Sequence, residues 1–238
     1  KFVAEVSVDE AEIVQGPLEL FFILAELQHL GVRVQTIAPK FSGLFAKGVD
    51  YIGDVNGFAS EFEQDVAVLK HAVNELGMPA NLKLSVHSGS DKFSIYPAIK
   101  KAIRKFDAGI HVKTAGTNWL EEVIGLAEAG ADGLEIAKEV YARSIERYDE
   151  LAGPYATVLH IDRAKLPPVN EVLQWNSSRF SDALTHNQQC AGYDANFRQL
   201  IHVGYKIAAE MGQRYHDVLI RYRSIVESKV KNNLLDRH

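Results

Sequence analysis

The sequence predicts an α/β protein in which parallel strands alternate with helices, and three observations support this fold class. Segments that alternate apolar and polar residues, such as Phe2–Val8, are followed by amphipathic helical segments, such as Pro17–Leu30. This strand and helix order repeats along the first half of the chain. Helical segments separate the strands, as parallel pairing requires. The first two predicted helices end at glycines, Gly31 and Gly77, which are favourable residues at a helix C-terminus.

Each element follows from its local sequence. The helix beginning at Ser60 has a serine N-cap and an acidic first turn, which suits the helix dipole. From Pro167 onward the pattern is rich in helices, and residues 197–235 are predicted to form one or two long helices. The predicted strands are Phe2–Val8, Val32–Ala38, a short Asp50–Ile52, Lys83–His87, Gly109–Thr114 and Thr157–Ile161. The predicted helices are Pro17–Leu30, Ser60–Leu76, Ser94–Phe106, Asn118–Ala129 and Glu139–Leu151, with Gly133–Ile136 as a short strand or a helix start.

Polar residues within the strands favour a closed (β/α) barrel of the TIM type over an open doubly wound sheet. An open sheet buries both faces of its central strands in apolar contacts. In a barrel, polar side chains that point inward can contact one another near the end that carries the active site. The polar strand residues are Glu5, Ser7, Lys83, Ser85, His111 and Lys113. We expect residues 1–166 to form barrel strands and helices that carry the site, and residues 167–238 to form a helical extension of the same domain.

Composition limits the classes of function. The chain has 238 residues, of which 47% are hydrophobic and 24% charged, with a net charge of -5. These values predict a globular, cytoplasmic protein without a nucleic-acid surface or a membrane span. A single cysteine, Cys190, excludes an intrachain disulfide and a multi-cysteine metal site. Because the chain starts at Lys1 inside a strand pattern, we expect a cut chain that is the second half of a barrel, partnered by a missing N-terminal half or by further copies of itself.

A candidate metal site comes from three strand ends. Glu5, Asp54 and His87 each lie at or near the end of a different strand. One imidazole and two carboxylates suit a divalent cation such as Mn, Co, Ni or Zn, which the sequence does not distinguish. The alternative is structural: Glu5 pairs with a lumen lysine, Asp54 caps a turn and His87 is hydrogen-bonded in the core.

Further candidates for acid–base chemistry and substrate binding occupy the strand exits. Asp9 or Glu10 is a candidate general base, although an acidic pair also suits a helix start. Three lysines, Lys40, Lys92 and Lys113, follow predicted strands and are candidates to bind a carboxylate or an enolate oxygen. Lys113 is also a candidate catalytic residue. The backbone amides of Thr-Ala-Gly-Thr-Asn, residues 114–118, either bind an anion or cap a helix. The candidate substrate-binding residues are Lys40, Ser88, Asp91, Lys92, Thr114 and His186.

Four segments carry a resemblance to a known family. EVSVDE, YIGDVNGF, KLSVHSGSDKFSIYP and HVKTAGTNWLEE together resemble the tagaturonate/fructuronate epimerases of hexuronate catabolism. The resemblance covers this chain as the C-terminal half of longer metal-dependent (β/α) barrels. It implies an isomerase that interconverts D-tagaturonate and D-fructuronate, with Glu5, Asp54 and His87 as metal ligands. Related members of the family act at the same carbon of ketohexoses.

The implied chemistry favours a retro-aldol route. The two sugars differ at C4, which is beta to the C2 ketone, so the C4 hydrogen is not acidified and an enediol would scramble C3 instead. The alternative mechanism, a transient oxidation at C4, needs a bound nicotinamide cofactor. The sequence contains no glycine-rich dinucleotide-binding motif that would support it. Two other hypotheses stay open: a metal-dependent ketose aldolase that releases the fragments, and a non-catalytic barrel half that serves as a structural module.

Overall fold

The structure is a computed structural model that describes residues 2–114 and 116–237, without the side chain of Thr117. The chain divides into two compact units. Within the described residues, the first unit comprises residues 2–45, 51–88 and 92–114, and the second comprises residues 46–50, 89–91 and 116–237. No helix among these residues has both the length and the apolar character that a bilayer crossing requires.

The first unit is built on a parallel sheet whose strands follow chain order. The strands are β1 (Glu5–Ser7), β2 (Thr36–Ala38), β3 (Lys83–His87) and β4 (Ile110–Lys113). In register, Glu5 pairs with Thr36, and Thr36 pairs with Lys83. Ser85 pairs with His111, and His87 with Lys113. Sequential parallel pairing brings the carboxyl ends of all four strands to one edge of the sheet.

Helices cover one face of this sheet. They are α1 (Pro17–His29), α2 (Val55–Glu75) and α3 (Tyr96–Lys105). Their apolar side chains pack with Ile37, Leu84 and Val86 into one core. Thr36 on β2 and Lys83, Ser85 and His87 on β3 alternate with these residues, are polar and point to the opposite face. The sheet therefore separates an apolar, helix-covered face from a polar face, as the alternation in the sequence predicted.

The described part of the second unit consists of helices and loops. The helices are α4 (Thr117–Ala129), α5 (Ala131–Glu146), α6 (Tyr148–Ala152), α7 (Val169–Val172), α8 (Ser177–Leu184), α9 (Ala195–Val203), α10 (Tyr205–Met211), α11 (Gln213–Arg221) and α12 (Arg223–Lys231). Two 3-10 turns, Gly153–Tyr155 and Arg163–Lys165, and a C-terminal π-turn, Asn232–Asp236, complete it. A second core, centred on aromatic residues such as Tyr141, Trp175 and Phe197, is distinct from the core of the first unit.

Three predicted elements differ from the structure. Thr157–Ile161 is not a strand, because Val158 O accepts from Lys47 N and the His160 backbone pairs with the Gln199 side chain. Residues 50–52 do not join the sheet, since Ile52 forms an isolated antiparallel bridge with Leu44. The long C-terminal helices are divided into α9–α12, with a left-handed Gly212 between α10 and α11.

Some helix boundaries also differ from the predicted ones. Helix α2 begins at Val55, before the predicted Ser60, because the side chain of Asp54 accepts a hydrogen bond from Asn56 N and caps it. The helix-rich part begins at Thr117, well before Pro167. The ambiguous segment Gly133–Ile136 lies within α5 and is helical.

Candidate active site

Glu5 is the centre of a polar cluster on the polar face of the sheet. Its Oε1 lies 2.9 Å from His87 Nε2, and its Oε2 lies 3.1 Å from His111 Nδ1. Thr36 Oγ1 donates a 3.0 Å hydrogen bond to Oε2. Because β1 to β4 are in parallel register, side chains from the three other strands reach the Glu5 carboxylate of β1.

This environment keeps Glu5 ionised. Burial raises the pKa of its carboxyl group, but hydrogen bonds from Ser85, Thr36, His111 and His87 outweigh burial and lower the pKa to about 2. The Glu5 side chain is 24% exposed, so a solute can reach it. The cluster therefore contains an ionised carboxylate that is partly exposed.

His87 lies between two carboxylates. Its Nδ1 is 2.9 Å from Asp9 Oδ2, while its Nε2 faces Glu5. Ser7 Oγ donates to the other oxygen of Asp9. A neutral imidazole has one N–H, so if Nδ1 donates to Asp9, the lone pair of Nε2 and the oxygen of Glu5 are both acceptors and need a proton or a cation between them.

The donor chemistry of the cluster fits a divalent cation. A carboxylate that fixes the far nitrogen of a histidine is the usual outer partner of a metal-bound imidazole, and Asp9 has this position toward His87. Glu5 and His111 add oxygen and nitrogen donors. Across the described residues, no three His, Cys, Asp or Glu side chains are arranged around a common metal position. The side chains instead hydrogen-bond to one another.

Asp54 has a structural contact in addition to its predicted role as a metal ligand. Its side chain is exposed and caps α2, and its metal role stays a prediction. The sequence placed Asp54 near a strand end, but the segment around it pairs with Leu44 outside the sheet. His111, on β4, is the side chain that joins Glu5 and His87 instead.

The candidate acid–base and cationic residues have different surroundings. Glu10 is exposed, directly after Asp9. Lys113 is exposed beside His87 in the sheet register. Lys40 Nζ donates to the backbone oxygens of Ala11 and, more distantly, Glu12.

The remaining candidates are mostly buried. Lys92 is fully buried in the first unit, and the Ser88 hydroxyl donates to Lys113 O at 3.3 Å. Thr114 is partly buried after β4. Asp91 and His186 are buried in the second unit. Ala115 and the Thr117 side chain, which belong to the candidate anion site at residues 114–118, lie outside the described residues.

Sequence reasoning missed the partners that complete the cluster. Ser85, His111 and Thr36 were recognised only as polar or ordinary strand residues, yet Ser85 Oγ lies 2.9 Å from His111 Nδ1 and all three surround Glu5. The available signal was the period of two: Ser85 and His87 share one face of β3, as His111 and Lys113 share one face of β4.

Comparisons with known proteins identify the family. The family model described as tagaturonate epimerase, UxaE, matches residues 1–232. A tagaturonate/fructuronate epimerase from Thermotoga maritima is 34% identical over 201 residues, which are 84% of this chain and 36% of that protein.

Solved structures agree with this assignment. The native structure of the fructuronate-tagaturonate epimerase UxaE from Cohnella laeviribosi is 27% identical, with a TM-score of 0.75 over 96% of this chain and 43% of that one. Its complex with two glycerols gives a TM-score of 0.78 at 25% identity, over 98% of this chain and 45% of that one. The chain thus spans less than half the length of these relatives. Because the family model matches nearly its whole length, the chain belongs to the UxaE family of tagaturonate epimerases.

Proposed function

We propose that this chain carries a catalytic site of a sugar epimerase that interconverts D-tagaturonate and D-fructuronate at C4. The observation that carries the proposal is the cluster of Glu5, His87, His111 and Asp9 at the polar face of the sheet. The names of the T. maritima and C. laeviribosi relatives supply the substrate class.

The four strands are proposed to be part of the wall of a TIM-type barrel. Consecutive parallel strands in chain order, with helices on one face and polar side chains on the other, are the local pattern of such a wall. His87 is the last residue of β3 and Lys113 the last of β4, so both lie at the carboxyl ends where barrel enzymes place their chemistry.

We assign the metal-binding role to Glu5, His87 and His111, with Asp9 holding the proton on His87 Nδ1. When bound there, a divalent cation would supply Lewis-acid stabilisation to negative charge on substrate oxygens. Asp9 is then a positioning residue, because its oxygens already accept from His87 and Ser7. This leaves Glu10, which is exposed and adjacent, as the proposed base.

The proposed reaction is a retro-aldol cleavage followed by re-addition. Glu10 accepts the proton of the C4 hydroxyl, the C3–C4 bond breaks, and its electron pair forms an enediolate over C2 and C3 while C4 becomes an aldehyde. Rotation of the aldehyde and attack by C3 on its other face restores the bond with C4 inverted, and Glu10 returns the proton. Lys113, exposed beside His87, is proposed to bind the substrate carboxylate.

An assay with both ketohexuronates tests this proposal. The purified chain is incubated with D-tagaturonate in the presence of Mn²⁺, Co²⁺, Ni²⁺ or Zn²⁺, and the products are separated by chromatography. We expect D-fructuronate without three-carbon fragments. Accumulated fragments would favour the aldolase hypothesis, and tightly bound NAD in the purified protein would overturn the retro-aldol route.

Matched variants locate the site. His111→Asn and His87→Asn should abolish bound metal in elemental analysis and lower epimerisation by at least about a hundredfold. Asp54→Asn is the control, since Asp54 is a helix cap whose role an asparagine can keep. Retained metal in both histidine variants, or its loss in Asp54→Asn, would contradict the ligand assignment.

A further inference from the structure

Ser85 is a buried hydroxyl on an inner strand of the sheet. It is 0% exposed and lies on β3, between β2 and β4. A buried hydroxyl without a partner costs free energy, and alanine would occupy nearly the same volume without that cost. Ser85 Oγ lies 2.9 Å from His111 Nδ1, and Ser85 also hydrogen-bonds to the Glu5 carboxylate. The hydroxyl therefore has two partners inside the cluster, and its burial prevents water from replacing it.

The register of the sheet brings Ser85 to these partners. Ser85 pairs with His111 across β3 and β4, and Glu5 pairs with Thr36 across β1 and β2. All four residues belong to the first unit. Because they lie on strands of one sheet, the backbone pairing sets the positions from which their side chains meet.

The contacts of Glu5 determine which nitrogen of His111 carries a proton. An ionised carboxylate only accepts hydrogen bonds. Thr36 Oγ1 donates to Glu5 Oε2 at 3.0 Å, and His111 Nδ1 lies 3.1 Å from the same oxygen. Without a proton on Nδ1, two acceptors would face each other, and the single O–H of Ser85 could satisfy only one of them. With the proton on Nδ1, each of these contacts joins a donor to an acceptor.

This tautomer leaves the lone pair of His111 Nε2 for a ligand. The hydrogen bonds of this ring within the described part of the chain use Nδ1. The His111 side chain is 47% exposed, so a solute can reach it. A metal-bound imidazole usually donates its far N–H to a neighbouring oxygen. Asp9 provides that oxygen for His87. Ser85 and Glu5 provide it for His111.

We infer that Ser85 is a positioning residue of the metal site, whose hydroxyl donates to Glu5 and accepts from His111 Nδ1, so that His111 binds the cation through Nε2. The inference rests on the proposed function, which assigns Glu5 and His111 to the cation. It adds a residue that holds two ligands at once. Ser85 acts through these two side chains and itself contacts neither the cation nor the substrate.

NMR of the metal-free chain tests the tautomer without any activity measurement. The histidine ring nitrogens are isotopically labelled, and the signals of His111 are assigned by their loss in His111→Asn. When the ring is neutral, we expect the proton on Nδ1 and none on Nε2. Added Zn²⁺ should shift the Nε2 signal, while Nδ1 keeps its proton. A proton on Nε2 in the free chain, or loss of the Nδ1 proton on Zn²⁺ binding, would overturn the inference.

Zn²⁺ affinity, measured by calorimetry, tests the role of Ser85. Ser85→Ala should lower the affinity by about tenfold to a hundredfold, as the loss of an outer partner of a metal ligand does. Ser85→Thr keeps a hydroxyl and should recover most of the affinity. Ser144→Ala is the matched control, because Ser144 is equally buried but lies on α5 in the second unit. The Tm of each variant reports its folding, and the Ser85→Ala result decides by itself if the added methyl group of threonine prevents folding.

The outcomes distinguish this inference from the proposed function. Wild-type Zn²⁺ affinity in Ser85→Ala would overturn the inference alone. Equal losses in Ser85→Ala and Ser144→Ala would also overturn it, since they would reflect a general loss of stability. A wild-type chain that binds no Zn²⁺ would instead overturn the proposed metal site, and with it the ligand role of His111. The NMR measurement would then still report which nitrogen of His111 carries the proton.

Discussion

In the proposed metal site, the Asp9 carboxylate selects which nitrogen of His87 carries a proton. Asp9 Oδ2 lies 2.9 Å from Nδ1 and would accept the proton on that nitrogen, which leaves the lone pair of Nε2 for the cation. Asp9→Asn replaces the acceptor by an amide that can donate to Nδ1, which favours the opposite tautomer. We expect Mn²⁺ or Zn²⁺ affinity, measured by calorimetry, to fall about tenfold to a hundredfold.

Glu10→Gln is the matched control for this measurement. It makes the same chemical change one residue further along, at an exposed side chain. In the proposed mechanism it should abolish epimerisation but leave metal affinity unchanged. Equal metal affinity in Asp9→Asn and wild type would remove Asp9 from the outer shell of the site.

A second single residue, Asp65, sets a pH dependence of stability. It is fully buried in α2, and neither carboxyl oxygen has a hydrogen-bond partner among the described residues. Burial, with a smaller contribution from the charge of Glu61, raises the pKa of Asp65 to about 8. The folded chain therefore keeps this carboxyl group protonated at neutral pH, whereas the unfolded chain ionises it near pH 4.

Stability should consequently fall as the pH rises from about 4 to 8, because the unfolded state releases this proton first. The loss is complete above pH 8, where both states are ionised. Asp65→Asn cannot ionise, so its Tm should match wild type near pH 4 and exceed it increasingly up to pH 8. Glu75→Gln, at an exposed position near the end of α2, should follow wild type throughout. A constant Tm difference between Asp65→Asn and wild type would refute this account.

At the scale of elements, the N-cap of α2 allows a structural role of Asp54 to be distinguished from a metal-binding role. Its carboxylate accepts from Asn56 N at 2.9 Å, and its metal role stays a prediction that a variant can test. Asp54→Ala should lower the free energy of unfolding by about 1 kcal/mol, as the loss of a helix cap does. Chemical denaturation with elemental analysis checks this: stability decreases while bound metal does not. Lost metal would return Asp54 to the ligand set.

Elements with strong local signals were predictable from sequence. Lys83–His87 alternates apolar and polar residues, and its strand has the predicted bounds. Helix α1 starts at Pro17 as predicted, because proline is well suited to the first turn. Thr157–Ile161 has strand composition, but tertiary hydrogen bonds to Gln199 and Lys47 decide its conformation, and composition does not encode them.

The candidate site could be predicted only in part, because the sequence does not show which residues pair across neighbouring strands. Glu5, Asp9 and His87 were chosen because each was predicted at or near the end of a strand; in the structure His87 ends β3 and Asp9 follows β1, whereas Glu5 begins β1. His111 was not chosen, because its closeness to Glu5 depends on the pairing of β3 with β4, which places it beside Ser85. Asp54 was chosen on sequence proximity to a strand that does not join the sheet.

For the whole molecule, the main fact is that each unit has its own core. The core of the first unit joins the sheet to α1, α2 and α3, and the core of the second unit joins α4 to the later helices. All members of the Glu5 cluster belong to the first unit. A ligand that binds only folded protein stabilises the part whose unfolding destroys its site.

Hydrogen exchange tests this division directly. Adding Mn²⁺ or Zn²⁺ should slow amide exchange in β1, β3 and β4, because their side chains supply Glu5, His87 and His111. Helices α9 to α12 should exchange at an unchanged rate, since their packing rests on the second core. The His111→Asn variant is the control and should show no metal-dependent protection. Equal protection in both units would mean that metal binding stabilises one cooperative body, and protection confined to α9–α12 would place the cation away from Glu5.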